Sequence, residues 1–176
     1  MEKNQKGFSL IELLIVVVIL GIIAAIAIPN LIASRRSANE GAAISALRTI
    51  HGAQVTYAAT QGAGNYAGTA AGLDTVGFSQ LGTANLLDAN LASGSKSGYN
   101  YLVGTTTRSG SMAATFCARA IPAANTGMTA TGTRCFGIAT DGVIMTNTAS
   151  STANCGCSIG SDGGEFVDRS SPLLDN

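Results

Sequence analysis

An apolar segment near the N-terminus constrains this chain more than any other feature. From Phe8 to Ile28 the sequence reads FSLIELLIVVVILGIIAAIAI, and its only ionisable side chain is Glu12. At about 1.5 Å per residue, a helix of this length covers roughly 30 Å, the thickness of a bilayer hydrocarbon core. We therefore expect residues 8–30 to form a helix that can cross a membrane.

The helical pattern continues beyond this segment to about residue 61. Small, apolar and amide side chains recur there at steps of four and three residues, which is one stripe of a 3.6-residue helix: Ala43, Leu47, Ile50, Gln54 and Tyr57. The glycines of residues 61–64 supply a stop signal. The charged side chains of this half are expected to face water: Arg35, Arg36, Glu40 and Arg48.

A helix of roughly 50 residues is long for a chain of 176. Such length predicts an element that packs against other copies of the protein. Pro29 lies near its midpoint and lacks a backbone N–H, so we expect a kink or a locally opened helix there.

An ordinary secretory signal peptide is the alternative interpretation of the N-terminus. Residues 25–27 form an A-x-A site, and cleavage there would release a secreted binding module. However, the apolar run is longer than the usual h-region, and the helical pattern continues past Pro29. Glu12 would also be a needless cost in a disposable signal, since a carboxylate at the bilayer centre costs about 2.5–3.5 kcal/mol.

Residues 6–13, with the sequence KGFSLIEL, the apolar run and Pro29 together resemble the class III signal of type IV pilins and pseudopilins. This resemblance covers residues 1 to about 60. A weaker one covers residues 99–146, where GTRCF at 132–136 and TDGVI at 140–144 look like the terminal β-hairpin of type IVa pilin-like proteins. It implies an α+β pilin fold, in which a long N-terminal helix packs on a small antiparallel sheet.

The resemblance also implies how the N-terminus is processed. A membrane aspartyl peptidase, the prepilin peptidase, would cut between Gly7 and Phe8 and methylate the new amine of Phe8. Gly7 suits a tight peptidase cleft because it lacks a Cβ atom. Glu12 would then be the assembly residue, because pairing with the Phe8 ammonium of a neighbouring copy relieves the cost of its carboxylate in lipid.

The balance of positive charge does not decide the orientation in the membrane. Lys3 and Lys6 precede the apolar run, and Arg35 and Arg36 follow it. The resemblance places the leader in the cytoplasm and makes the precursor a single-pass inner-membrane protein with its C-terminal domain outside, later an extracellular filament. The partners it implies are other copies of the chain through the N-terminal helix, the prepilin peptidase, and an inner-membrane assembly platform. No P-loop is present, so an ATPase motor would be a separate protein.

The chain is expected to divide into six parts: leader 1–7, transmembrane and assembly helix 8–30, amphipathic helix half 31–61, αβ-loop 62–98 with a helical turn near 84–92, antiparallel sheet 99–147 and C-terminal loop region 148–176. Strand-like runs cover residues 99–105, 112–121, 133–139 and 142–146. Asp141-Gly142 lies between the last two runs and predicts a hairpin turn.

All four cysteines lie in the last third of the chain: Cys117, Cys135, Cys155 and Cys157. An even count in a loop-rich region favours disulfides in an oxidising compartment. Cys117 and Cys135 fall in adjacent predicted strands and could lie opposite each other. Cys155 and Cys157 could bridge locally or each take an upstream cysteine, so the connectivity stays open. The C-x-C spacing is not that of a zinc site, and no βαβ context supports a redox-active pair.

Other chemistry is sparse in this sequence. Asp162, Glu165 and Asp168 lie on a Gly-rich segment and could hold calcium, although the EF-hand pattern is absent and a solvated loop is preferred. The single histidine, His51, has no partner at a spacing useful for catalysis, so neither an enzyme nor a cofactor is expected. Ten basic and ten acidic residues give no electrostatic footprint for nucleic acid.

The function that we infer from the sequence is that of a structural subunit, the major pilin of a type IV pilus. A pseudopilin of a type II secretion system is the alternative, and the secreted binding module is the second alternative. The residue at which the mature protein begins separates the filament subunit from the secreted module.

Overall fold

The computed structural model describes residues 8–70 and 72–148. Its helices are α1 (Leu10–Thr60), α2 (Val76–Thr83) and α3 (Ala89–Ala92). Its strands are β1 (Ser95–Lys96), β2 (Tyr99–Thr106), β3 (Thr115–Pro122), β4 (Arg134–Ala139) and β5 (Ile144–Thr148). The strands form one antiparallel sheet in the order β1-β2-β3-β4-β5. The expected α+β class, a long N-terminal helix with a small antiparallel sheet, is confirmed.

The chain divides into two compact units, unit 1 up to Arg35 and unit 2 from Arg36 onward. Unit 1 contains the apolar part of α1, and the helix is assigned without interruption through Pro29. The kink at Pro29 stays a prediction. The expected end of the helix near residue 61 is confirmed, since α1 ends at Thr60.

The core of unit 2 lies between the second half of α1 and one face of the sheet. Ala43, Leu47 and Ile50 are fully buried, as their spacing predicts. Four aromatic members of the same core come from three neighbouring strands: Tyr99, Tyr101, Phe116 and Phe136. A fifth, Phe78, comes from α2. Alternate residues of a strand share a face, so each strand contributes every second side chain to this core.

Polar contacts show how α1 lies along the sheet. Glu40 binds Arg134 at the start of β4, and His51 contacts Thr140 just after its end. The helical rise between the two α1 residues is about 16 Å, and the strand rise between their partners is about 20 Å. Helix and strand therefore run in the same direction over this distance.

Residues 62–98 contain more regular structure than the predicted loop with one helical turn. The turn near residues 84–92 corresponds to α3, where the Asp88 carboxylate caps the helix by accepting from Leu91 N. Helix α2, however, was not predicted. It forms because Phe78 and Leu81, three positions apart, are both fully buried, so tertiary packing outweighs the two glycines of this short helix.

The four predicted strand runs correspond to β2, β3, β4 and β5, with ends that shift by up to three residues. The hairpin turn predicted at Asp141-Gly142 is confirmed. Gly142 has φ of 77°, and the carboxylate of Asp141 accepts a hydrogen bond from Val143 N. The positive φ explains why glycine is suited to this position.

Candidate assembly site

Unit 1 exposes a continuous apolar surface. Its large apolar side chains are exposed around the whole circumference of the helix, from Phe8, which is 80% exposed, to Leu31. Within the described residues, α1 is the one helix that is long and apolar enough to cross a membrane, although a signal sequence meets the same criteria. A surface of this kind requires lipid or other protein chains to cover it.

Glu12 lies in the first turn of α1. The carbonyl oxygen of Ser9 accepts hydrogen bonds from Glu12 N and Leu13 N, which fixes the start of the helix beside this carboxylate. A negative charge is favourable at a helix N-terminus because the first N–H groups carry partial positive charge. Glu12 is also the one ionisable side chain of residues 8–28, whose other side chains are apolar or small.

The predicted processing site is only partly described. Phe8 lies just before α1 and is exposed, whereas Gly7 lies outside the described residues. The roles expected of Gly7, Phe8 and Glu12 thus remain predictions.

A second polar cluster lies in unit 2, where α1 holds the chain that leads into β4. We call Arg36, Asn39 and Glu40 the helix clasp. Arg36 donates to the carbonyl oxygens of Gly127 at 2.6 Å and Ala130 at 3.2 Å, and Asn39 donates to that of Thr131 at 2.9 Å. Both side chains thus bind backbone carbonyls of the β3–β4 connection, residues 123–133.

Glu40 is the most deeply buried member of the clasp. Its Oε1 accepts from the backbone N and the hydroxyl of Thr133, both at 2.9 Å, and its Oε2 accepts from Arg134 Nε at 2.8 Å. Burial raises the pKa of Glu40, but these hydrogen bonds and the Arg134 charge outweigh it, so the pKa lies below its ordinary value. The expectation that Glu40 faces water is wrong, and Arg36 is half-buried rather than exposed.

A bridge between Cys117 and Cys135, one of the predicted pairings, does not fit their positions in the sheet. Cys117 lies opposite Ala139 in the β3–β4 ladder, and Cys135 is four residues away from that position. Four strand residues span about 13 Å, whereas the Cα atoms of a disulfide lie within about 7 Å. A Cys117–Cys135 bridge is therefore wrong, although both residues are fully buried and disulfide-bonded. Cys155 and Cys157 lie outside the described residues.

His51 has a structural environment. Its Nε2 lies 3.2 Å from the carbonyl oxygen of Thr140, and its ring is 5.6 Å from that of Phe116. The contact with Thr140 links α1 to the turn that precedes β5. Among residues 8–70 and 72–148, no group of three His, Cys, Asp or Glu side chains could hold a metal ion. The proposed calcium ligands, Asp162, Glu165 and Asp168, lie outside these ranges.

The helix clasp is the cluster that sequence reasoning missed. The signal was present, because Arg36 and Glu40 extend the buried stripe backwards from Ala43 at steps of three and four residues. The cluster was not predicted because charged side chains are expected at the surface. The binding partners, residues 127–134, are not identifiable from the sequence because they lie more than 90 positions away.

Each of the following comparisons with known proteins covers less than a third of the chain. Residues 3–28 match the family model described as the prokaryotic N-terminal methylation motif. The type IV wide pilus major component PilA4 of Thermus thermophilus is 60% identical over 38 residues, which are 22% of this chain and 29% of that protein. The type II secretion system core protein G of Dickeya chrysanthemi is 42% identical over 45 residues, 26% of this chain and 29% of that protein.

The type IV major pilin protein PilA of Myxococcus xanthus is 46% identical over 56 residues, which are 32% of this chain and 26% of that protein. The chain thus matches less than a third of the length of each of these three relatives. No solved structure matches the chain at a significant level.

Proposed function

We propose that this chain, a member of the type IV pilin and pseudopilin family, is the major structural subunit of a type IV pilus. Proteins of this family are structural subunits rather than enzymes, are processed by prepilin peptidase and polymerise into filaments. In this chain the methylation motif and the apolar helix fit a membrane-anchored precursor that is later assembled.

The observation that carries the proposal is the apolar part of α1, exposed around its circumference and bearing one carboxylate. In the precursor, lipid covers this surface. In a filament, the same surface of other copies covers it, so assembly exchanges helix–lipid contacts for helix–helix contacts. The two environments explain why the segment is apolar on every side.

Glu12 sets the axial register in this scheme. Cleavage between Gly7 and Phe8 creates a cation at the end of the helix, and Glu12 lies only four residues further along. A neighbouring copy that is shifted along the helix axis brings its Phe8 amine to this carboxylate. The pairing neutralises a charge that the apolar surroundings disfavour, and it favours one shift over all others. Prepilin peptidase and an assembly platform with its separate ATPase are the partners that this scheme requires.

The N-terminal residue and the location of the mature chain test the proposal. Surface filaments sheared from cells should contain this chain as their main component, and its N-terminal residue should be methylated Phe8. A mature N-terminus at Ile28 would instead establish a secreted module and reject the proposal.

A type II secretion pseudopilin is the second candidate. It is favoured by the similarity to core protein G of Dickeya chrysanthemi, which reaches 42% identity over 45 residues. Deleting the gene separates the two: loss of surface pili with normal protein secretion supports the pilin, and loss of secretion with normal pili supports the pseudopilin.

A further inference from the structure

The face of the sheet that points away from α1 is buried. Alternate residues of a strand lie on opposite faces, so the neighbours of the core residues on β3, β4 and β5 lie on this other side. We call this side of strands β2–β5 the second face. Four of its residues are at most 2% exposed: Cys117, Cys135, Ala139 and Met145. None of the four belongs to the core clusters that the described residues form with the helices.

The helices that the structure describes do not account for this burial. Phe78 of α2 and Leu91 of α3 belong to the same core cluster as Leu47 of α1. Within residues 8–70 and 72–148, the helices thus contribute to the core on the α1 side of the sheet. A sheet face that is left to water does not bury four neighbouring side chains, so another part of the chain must cover the second face.

The cysteines of the second face identify that part of the chain. Cys117 and Cys135 are disulfide-bonded, and their positions in the ladder are too far apart for a bond between them. The sequence has two other cysteines, Cys155 and Cys157, and both lie in residues 149–176. This segment begins directly after β5, at the edge of the second face. A chain of this length extends over about 90 Å at most, whereas four strands are roughly 14 Å across, so it is long enough to cover the face.

Arg119 adds a positive charge to the middle of the second face. Its partners in the register are Leu102 on β2 and Gly137 on β4, neither of which is charged. Arg119 is half-buried, and burial lowers the pKa of its guanidinium. A cation that is partly withdrawn from water is unfavourable unless an anion meets it. We therefore expect the segment that covers this face to bring a carboxylate to Arg119.

Residues 149–176 have the charge and the apolar side chains that such a cover requires. The segment contains four acidic residues and one basic residue: Asp162, Glu165, Asp168, Asp175 and Arg169. We call Asp162, Glu165 and Asp168 the acidic trio. The same stretch of sequence contains isoleucine, phenylalanine and valine at positions 159, 166 and 167.

We propose that residues 149–176 pack on the second face of their own sheet and that the acidic trio pairs there with Arg119. The disulfides hold the start of the segment, and the ion pair holds the part that follows. The chain's own segment is favoured over that of a second copy because its covalent connection to β5 gives it a high effective concentration. Arg119, rather than a calcium ion, then meets the trio. The inference does not depend on the proposed function, because it concerns a single copy of the chain.

Photocrosslinking of the full chain in mild detergent tests the packing. The photoreactive residue p-benzoylphenylalanine would replace Leu102, which is half-buried on the second face. The matched control places it at Val76, which is exposed on α2. Irradiation should join position 102 to a peptide from residues 149–176 within one monomer. If position 102 gave no more of this peptide than position 76, or gave it only in dimers, the inference would be overturned.

Trypsin cleavage after Arg169 tests the pairing. Only this cut releases peptide 170–176, which mass spectrometry can quantify. Arg119→Gln should release the peptide about tenfold faster than the wild type, because a packed segment is cleaved only when it opens. The control is Arg108→Gln, which removes an exposed positive charge from the β2–β3 connection and should leave the rate unchanged. Equal rates in the wild type and Arg119→Gln would overturn the pairing.

A variant of the segment separates the ion pair from a general loss of structure in the sheet. Asp162→Asn/Glu165→Gln/Asp168→Asn changes no residue of the sheet and should accelerate the cleavage as much as Arg119→Gln does. Combining the four substitutions should add nothing further, because both variants remove the same contact. Additive effects would contradict the pairing. Cleavage that calcium slows equally in the wild type and in Arg119→Gln would assign the trio to a metal ion and overturn the pairing as well.

Discussion

The guanidinium of Arg134 pairs with the carboxylate of Glu40 across the boundary between α1 and the sheet, with Nη2 at 2.8 Å from Oε2. The carboxylate is 8% exposed, whereas the Arg134 side chain is 47% exposed. The pair is thus asymmetric: the anion is buried and the cation reaches it from the surface. Thr133 and the backbone N of Arg134 supply the remaining donors that a buried carboxylate needs.

Glu40→Gln is expected to lower the free energy of unfolding of unit 2 by about 2–3 kcal/mol. Glutamine keeps one acceptor for Thr133, but its NH₂ group meets the Nε–H donor of Arg134, so two donors face each other. Hydrogen bonds to charged groups are worth about 1.5–3 kcal/mol, and the exposure of Arg134 keeps the loss in that range. Thermal unfolding of the full chain in mild detergent, followed by near-ultraviolet circular dichroism, measures it.

The control for this variant is Lys96→Gln, which removes the exposed pair between Lys96 and Asp88 and keeps the Asp88 cap. It should cost less than about 1 kcal/mol, as exposed ion pairs do. Equal losses in the two variants would show that the burial of Glu40 contributes nothing.

The pH dependence of stability gives a further prediction for Glu40. Its pKa in the folded protein lies below the ordinary value of 4.5, so the folded state favours the ionised form. The contribution is complete above that ordinary value and disappears as the pH falls through the lower folded pKa. The stability difference between wild type and Glu40→Gln should therefore be constant near neutral pH and shrink only below 4.5. A difference that grows on acidification would contradict this sign.

The sequence allowed the buried stripe of α1 to be predicted, but not its polar extension. The stripe depends on helix periodicity, which is a local property of the chain. Whether Glu40 faces water depends on the donors that meet it, and these come from Thr133 and Arg134, distant in sequence. A charge is assigned to the surface by default because its burial costs free energy unless it is paired. The pairing is visible only in the fold.

Removing the Glu12 charge is expected to leave insertion and processing intact and to reduce filament assembly about tenfold or more. Glu12→Gln keeps the size of the side chain and removes the charge that would pair with the Phe8 amine. Sheared filament yield, measured against the membrane pool of processed chain, tests it. Glu12→Asp is the control, since it retains a negative charge in the first helical turn and should assemble better than the glutamine variant. A normal yield from Glu12→Gln would reject the pairing role.

Gly7→Val is expected to block maturation. A β-branched side chain restricts the backbone and adds bulk beside the bond that the peptidase must hold in an extended form. The full precursor, with Met1 or its processed equivalent at the N-terminus, should accumulate in the membrane, as intact-mass measurement would show. Ser9→Val, two positions away on the other side of the bond, is the control and should still be cleaved. If Gly7→Val matured at the normal rate, the assignment of the scissile bond would be wrong.

The same contrast between local and distant information explains the other differences between prediction and fold. The Asp141-Gly142 turn was predicted because its conformation is dictated by adjacent residues. Helix α2 was not predicted because Gly77 lies within it, and glycine is disfavoured inside helices. In the fold, a Cβ atom at Gly77 would lie 2.6 Å from Ala67 O, so glycine permits close packing there. The β3–β4 register, which separates Cys117 from Cys135, depends on a long connection whose conformation the helix clasp stabilises.

That register leads to a prediction about the disulfides. Cys117 and Cys135 are both disulfide-bonded, and their positions in the ladder prevent a bond between them. The sequence contains only two other cysteines, so we expect one bridge to each of Cys155 and Cys157. Non-reducing peptide mapping should find the segment around residues 155–157 linked to both strands. The double variant Cys155→Ser/Cys157→Ser should leave two thiols that react with maleimide after unfolding, whereas the wild type should have none. A peptide that joins Cys117 to Cys135 in the wild type would contradict the β3–β4 register itself.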